Sequence, residues 1–153
     1  MTAADVDHLL RQAYEGEVLG EAFFGRLGGL TDDDDHKAKL DVLRRLEAST
    51  RELLRPYIER RRITVDEEIA ARSGEQFAEG VAAMSWADLM ASLPEGTKQY
   101  ADLYERMRVP LGNDELVDQL LAHEAALCDF TRRELGGDGD RSVEPILALP
   151  HVQ

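Results

Sequence analysis

Apolar residues recur at alternating spacings of three and four residues along four long stretches of this chain. That spacing places them on one face of a helix, because an α-helix has about 3.6 residues per turn. The alternation of apolar and polar residues that is typical of a β-strand is absent from the sequence. In the first stretch, residues 3–27, the shared face carries Val6, Leu10, Ala13, Glu17, Gly20, Phe24 and Leu27. The pattern therefore predicts an all-α fold.

Helix-breaking and capping residues set the expected boundaries in the first half of the chain. Gly28 and Gly29 predict the end of the first long helix, and the aspartates that follow cap the next one. We expect the second long helix to cover about residues 34–61, with a kink at Pro56, because proline lacks an amide hydrogen. A shorter helix is predicted at residues 66–83, and its position between two long helices suggests a crossover.

The third and fourth long helices are predicted in the second half of the chain. Residues 86–93 and 97–108 have helical spacing but are interrupted by Pro94 and Gly96, and we treat them as one kinked helix. Asn113 then caps the fourth long helix, which is expected to end at two consecutive glycines.

The length of 153 residues suits a single domain that covers the whole chain, residues 1–153. A domain of this size can bury roughly 70% of its unfolded surface, which is enough for a core without disulfides. Residues 140–153 carry apolar side chains between two prolines, and we expect them to dock on that domain as one helical turn.

Composition excludes several classes of partner and location. The formal net charge of −13 repels nucleic acid and anionic membranes. The apolar runs are far shorter than the roughly 20 residues that span a bilayer, so no membrane segment is expected. Cys128 is the only cysteine, which excludes an internal disulfide, and the N-terminus lacks the pattern of a signal peptide. We therefore expect a cytoplasmic protein.

Three ionisable residues, Glu17, Glu47 and His123, occupy positions in the apolar stripes where leucine would be typical. Burying such groups is costly unless they are paired, hydrogen-bonded or bound to a metal. Antiparallel helices place residues equally distant from their turn at the same height, and the two glutamates are nearly equidistant from residues 31–32. By the same argument, His123 lies next to Thr97. The stripes therefore predict one polar centre, shared by facing helices.

Carboxylates and an imidazole drawn from facing helices can bind a metal ion in a bundle, and iron and manganese accept such ligands. Glu124 becomes a further candidate if the fourth long helix is rotated, and Glu21 lies one turn from Glu17 on the first. The candidate metal ligands are therefore Glu17, Glu47, His123, Glu124 and Glu21.

Three short segments resemble the ferritin-like, rubrerythrin-like superfamily. Residues 17–27 begin with Glu, followed by a small residue three positions later and an aromatic residue seven positions later. Residues 47–50 and 120–127 resemble the two Glu-x-x-His motifs of that superfamily. The resemblance implies a ferritin-like up-down four-helix bundle with a crossover helix between helices 2 and 3. It also implies a metal centre that would hold iron or manganese.

The chain departs from that superfamily at two of the expected ligands. Thr50 stands at the position of the first motif's His, and Leu120 stands at that of the second motif's Glu. Only Glu17, Glu47 and His123 match the superfamily's ligand positions. The resemblance is therefore less consistent with a two-metal oxidase than with a site for a single ion.

Several functions remain open at this stage. A metal-dependent redox protein would act on oxygen or an unidentified small molecule. A metal-free polar network, in which His123, hydroxyl groups and water satisfy the carboxylates, would leave a non-enzymatic helical module that forms a homodimer or binds a partner. Acid–base catalysis by Glu47 and His123 is a third interpretation. The remaining histidines, His8, His36 and His151, are expected at the surface.

Overall fold

The computed structural model describes residues 2–152, and every regular element in that range is helical. The predicted all-α fold is confirmed. Within the described range, no helix combines the length and the apolar character that crossing a bilayer requires. In chain order, the elements are α1 (Ala3–Leu30), α2 (Asp34–Arg60), α3 (Glu67–Val81), α4 (Trp86–Leu111), α5 (Asp114–Leu135), a 3-10 turn (Gly139–Arg141) and α6 (Glu144–Leu147).

The first long helix extends further than predicted. It continues through Gly28 and Gly29, so the prediction that these glycines end it is wrong. A glycine inside a helix costs about 1 kcal/mol relative to alanine, a penalty that tertiary contacts can offset. Gly28 lies next to Leu40 of α2, where a side chain would touch the leucine Cβ at 3.8 Å. Packing between α1 and α2 therefore extends past the point at which the local sequence favours a stop.

The third long helix, α4, runs through Pro94 and Gly96 as one helix, which confirms that residues 86–93 and 97–108 belong to a single helix. A proline inside a helix removes one amide hydrogen bond. Side chains before and after the proline are buried in the core, namely Leu89, Met90, Leu103 and Tyr104. Core packing on both sides of Pro94 therefore outweighs its local effect.

The helices pack in neighbouring pairs. α1 packs along α2 and α3, and α4 packs along α5. The contact between α1 and α3 is close, because a Cβ at Gly74 would overlap the carbonyl oxygen of Leu19. Buried apolar residues form two clusters. Fully buried members of the first include Leu10, Leu54, Tyr104 and Leu120, and those of the second include Leu43, Met90, Phe130 and Ile146.

Buried polar residues mark the boundary between the two apolar clusters. On α2, Glu47 and Thr50 lie between leucines of the second cluster and Leu54 of the first. On α5, His123 and Glu124 follow Leu120 of the first cluster and precede residues of the second. The fold thus brings ionisable groups from different helices to the same level of the bundle.

The C-terminal segment lies against α5 and α2. Ile146 of α6 is fully buried in the second apolar cluster, and Val152 belongs to the same cluster. These two contacts hold the intervening residues, including His151, against the bundle.

Candidate metal centre

Four candidate residues meet between the apolar clusters: Glu17 of α1, Glu47 of α2, and His123 and Glu124 of α5. All four are buried, with exposed fractions of 2%, 7%, 1% and 6%. His123 lies at the middle of the group. Its Nδ1 is 3.9 Å from Glu17 Oε2, and its Nε2 is 3.6 Å from both Glu47 Oε2 and Glu124 Oε1. We call these four residues the centre.

Small and polar neighbours hold the carboxylates of the centre in place. A Cβ at Gly20 would lie 2.7 Å from Glu47 Cδ, so the absence of a side chain there leaves room for the carboxyl group. The Tyr104 hydroxyl, which is fully buried, donates a hydrogen bond of 2.5 Å to Glu17 Oε1. The helical stripe explains why Glu17 and Glu47 point inward, and these contacts explain how they fit.

Two atoms of the centre have no hydrogen-bond partner among residues 2–152. They are Glu17 Oε2 and His123 Nε2, and both are inaccessible to solvent. An unsatisfied buried polar atom costs roughly 1–3 kcal/mol, and a charged one costs more. Glu17, His123 and Glu124 each offer a ligand atom, and the three atoms lie within 4.8 Å of one another. The centre therefore has unused capacity to bind a cation.

The electrostatics of the centre favour the addition of positive charge. Burial raises the pKa of Glu47 well above its usual value, and the negative charge of the neighbouring Glu17 raises it further. Burial likewise raises the pKa of Glu124, with a smaller contribution from Glu17. Burial lowers the pKa of His123, which favours the neutral ring. Protonation of the acids or a bound cation would relieve this excess of negative charge.

Comparisons with protein-family models, with curated proteins and with solved structures found no match to this chain. The functional argument therefore depends on the residues of the centre and on what surrounds them. Oxygen and nitrogen ligands in a buried, net-negative site are typical of a first-row metal centre.

Glu21 does not join the centre. Its carboxylate forms an ion pair with Arg51 of α2, at a position where both side chains are partly exposed. Glu21 lies one turn from Glu17 on α1, as predicted, but its side chain contacts Arg51 at the rim of the bundle. The arginine already neutralises this carboxylate, and the prediction that Glu21 is a metal ligand is not supported by the geometry.

A chain of hydrogen bonds connects the centre to the C-terminal segment. The sequence analysis did not predict this connection. Thr50 Oγ1 lies 2.7 Å from His123 Nδ1 and 3.0 Å from His151 Nε2. His151 is half-buried, so its predicted surface position is wrong. His36 is half-buried as well and stacks on Trp86, whereas His8 is exposed as predicted. The sequence did contain one signal of this connection. Thr50 lies on the buried face of α2, and a buried hydroxyl needs hydrogen-bond partners.

A cavity of about 160 Å³ lies beside the carboxylates, and its wall includes Glu17, Glu47 and Glu124. A larger pocket of about 510 Å³ lies further out, between α1, α3 and α4. Gly16 and Tyr100 line both spaces, and a Cβ at Gly16 would overlap the Tyr100 ring. The Tyr100 side chain therefore borders both the outer pocket and the cavity. Burial raises the pKa of its hydroxyl to about 12, so the group stays neutral.

Proposed function

We propose that this chain is a ferritin-like, rubrerythrin-like four-helix bundle whose centre binds one iron or manganese ion for redox chemistry on a small molecule. In this proposal α1 with α2 and α4 with α5 are the two helix pairs, and α3 is the crossover helix. The packing of α1 on α2 and of α4 on α5 supports that assignment. The resemblance of residues 17–27, 47–50 and 120–127 to the superfamily motifs supports it independently.

The observation that carries the proposal is the pair of unpartnered buried atoms, Glu17 Oε2 and His123 Nε2. A cation between the acids and the ring would use both atoms and would neutralise carboxylates that burial otherwise makes unfavourable. Glu17, Glu47, His123 and Glu124 would hold it. The ion would supply redox or Lewis-acid chemistry at that position.

A single ion fits the donors better than two. Leu120 is fully buried in the first apolar cluster, at the position where a second helix-4 carboxylate would be needed. Thr50 hydrogen-bonds to two imidazoles and offers a hydroxyl in place of a motif histidine. Glu21 is neutralised by Arg51.

The surrounding residues would limit which molecules reach the centre. The cavity beside the carboxylates has a volume of about 160 Å³, which suits a small molecule. Tyr100 lines both that cavity and the outer pocket, so its side chain would affect passage between them. The Tyr104 hydroxyl keeps Glu17 oriented by donating to its Oε1.

Metal content tests this proposal. Protein produced in iron-supplemented or manganese-supplemented medium, and purified without chelator, should contain about one equivalent of metal by elemental analysis. Glu17→Gln and Glu124→Gln should lose most of it, whereas Glu21→Gln, at the rim of the bundle, should retain it. Far less than one equivalent in the parent protein from both media would contradict the proposal.

One observation favours the alternative of a non-enzymatic module. Ile69 and Phe77 are 58% and 61% exposed, and they lie two turns apart on the outer face of α3. Such a pair could contribute to a homodimer interface. Light scattering tests this alternative. A mass of one chain together with stoichiometric metal would count against it, whereas a dimer that Phe77→Glu converts to monomer would support it.

A further inference from the structure

The C-terminal segment reaches the centre through a single side chain, Thr50. The Thr50 hydroxyl is fully buried, and within residues 2–152 its hydrogen-bond partners are His123 Nδ1 at 2.7 Å and His151 Nε2 at 3.0 Å. Ile146 and Val152 are buried on either side of this contact in the sequence, which keeps His151 in place. The two imidazole rings are therefore joined by one hydroxyl group.

A hydroxyl has one hydrogen to donate, so the two rings cannot both act as acceptors. In the first arrangement, Thr50 donates to His151 Nε2 and accepts from His123 Nδ1–H. In the second, His151 Nε2–H donates to Thr50, which donates to His123 Nδ1. If both rings donated, the Thr50 hydrogen would be left without an acceptor. The tautomers of the two histidines are thus coupled.

The surroundings of His123 Nε2 distinguish the two arrangements. The second would place a hydrogen on Nε2, which has no hydrogen-bond partner among the described residues and lies 3.6 Å from the nearest carboxylate oxygens. A good N–H···O bond is about 2.7–3.2 Å long, so that hydrogen would be poorly satisfied. The first arrangement instead leaves a lone pair on Nε2, directed at the space between the glutamates.

We propose that His151 is a positioning residue that accepts the Thr50 hydrogen, fixes His123 as the Nδ1–H tautomer and leaves Nε2 free to bind a cation. The role of His123 as a metal ligand rests on the proposed function, whereas the tautomer of His123 is a property of the metal-free protein. Thr50 stands where the superfamily motif has a histidine. His151 of the C-terminal segment would therefore act on the centre indirectly, through its hydrogen bond with the Thr50 hydroxyl.

Nitrogen NMR of metal-free protein tests the tautomer directly. In EDTA-treated protein labelled with ¹⁵N-histidine, two-bond correlations distinguish a protonated from an unprotonated ring nitrogen. His8→Gln and His36→Gln, which lie away from the centre, help to assign the spectrum. We expect Nδ1–H at His123 in the parent protein, and loss of that preference in His151→Phe. His151→Gln retains an acceptor and should restore it.

Thr50→Val provides a second route that leaves the C-terminal segment unchanged, and Thr50→Ser is its matched control. Thr50→Val should abolish the tautomer preference, and Thr50→Ser should keep it. Even if His151→Phe failed to fold, this pair would show whether the Thr50 hydroxyl sets the tautomer of His123. An Nε2–H tautomer in the parent protein, or the same tautomer in Thr50→Val as in the parent, would overturn the inference.

Cation affinity separates this inference from the proposed function. Titration with Mn²⁺ should show binding about 10- to 100-fold weaker in His151→Phe than in the parent, a typical effect of losing a group that orients a ligand. His8→Phe should bind as the parent does. If the parent binds no cation but shows the coupled tautomers, the proposed function fails and the positioning role stands. Unchanged affinity in a variant whose tautomer has changed would contradict the link to the metal.

Discussion

The Tyr104 hydroxyl on α4 donates a hydrogen bond of 2.5 Å to Glu17 Oε1 on α1. Both side chains are buried, and the second oxygen of Glu17 has no hydrogen-bond partner within residues 2–152. Tyr104 therefore provides the hydrogen-bond donor to Glu17, and it joins the two helix pairs at the level of the centre.

Tyr104→Phe should lower the free energy of unfolding of the EDTA-treated protein by about 1–3 kcal/mol, because the buried carboxylate loses its donor. Urea titration followed by circular dichroism measures the change. Tyr100→Phe is the control, because the tyrosine hydrogen bonds within the described range involve Tyr14, Tyr57 and Tyr104. An equal loss in both variants would show that the hydrogen bond to Glu17 is not the cause.

Gly20→Ala should displace the Glu47 carboxyl group, because the new Cβ would lie 2.7 Å from its Cδ. We expect Mn²⁺ binding to weaken by about 10- to 100-fold. Gly29→Ala is a matched control on the same helix, since no atom of the described residues lies within 4 Å of a Cβ there. It should leave binding unchanged and stabilise the helix by up to about 1 kcal/mol. Parent-like affinity in Gly20→Ala would contradict the packing argument.

Gly74→Ala should destabilise the protein by about 1–3 kcal/mol, because the added Cβ would overlap the Leu19 carbonyl oxygen on α1. The backbone of a packed helix cannot move aside as a flexible side chain can. Gly80→Ala, near the end of α3, meets no atom within 4 Å in the described structure and should be neutral or slightly stabilising. Thermal unfolding compares the two variants. A melting temperature of Gly74→Ala at or above that of Gly80→Ala would be inconsistent with the close packing.

The stability of the metal-free protein should fall as the pH rises above 6.5. The pKa values of Glu47 and Glu124 are raised well above their usual value of 4.5, so the folded state holds these protons more tightly than the unfolded state. The stability that these two acids contribute is fully present below pH 4.5, and it is lost as the pH rises through their raised pKa values. The pKa of His123 is lowered from 6.5, and its opposite contribution is confined to lower pH.

Melting temperatures in EDTA across that range measure this dependence, and Glu47→Gln provides the comparison. The variant lacks one of the two titrating acids, so its melting temperature should change less with pH than that of the parent. Parallel curves for the two proteins would show that Glu47 does not contribute. Saturating Mn²⁺ should reduce the dependence in the parent, because a cation stabilises the ionised carboxylates.

The main helices and the position of the centre could be predicted because both depend on spacing. Glu17 and Glu47 are nearly equidistant from the first turn, and the structure places each of them within 3.9 Å of a His123 ring nitrogen. The stripes predicted which faces are buried, and burial is why these acids stand out. Glu124 was harder to predict, because the rotation of α5 depends on packing against the other helices.

Features that depend on long-range contacts could not be predicted in the same way. Gly28 and Pro94 favour helix ends locally, but packing against neighbouring helices outweighs that preference. Glu21 has the right spacing for a ligand, and only the structure shows that Arg51 lies beside it. The apolar side chains of residues 140–153 predicted that this segment docks, but nothing in the sequence indicated that docking would place His151 beside Thr50.

The position of the centre between two apolar clusters limits how the helices can slide past each other. A bundle filled with leucine from end to end could shift one helix by a full turn, about 5.4 Å, and still bury similar surface. Here such a shift would move Glu47 into the leucines of the second cluster or move Glu17 away from Tyr104. An isolated carboxylate among aliphatic side chains is strongly disfavoured. The same acids would therefore select one vertical alignment of the helices in the metal-free protein.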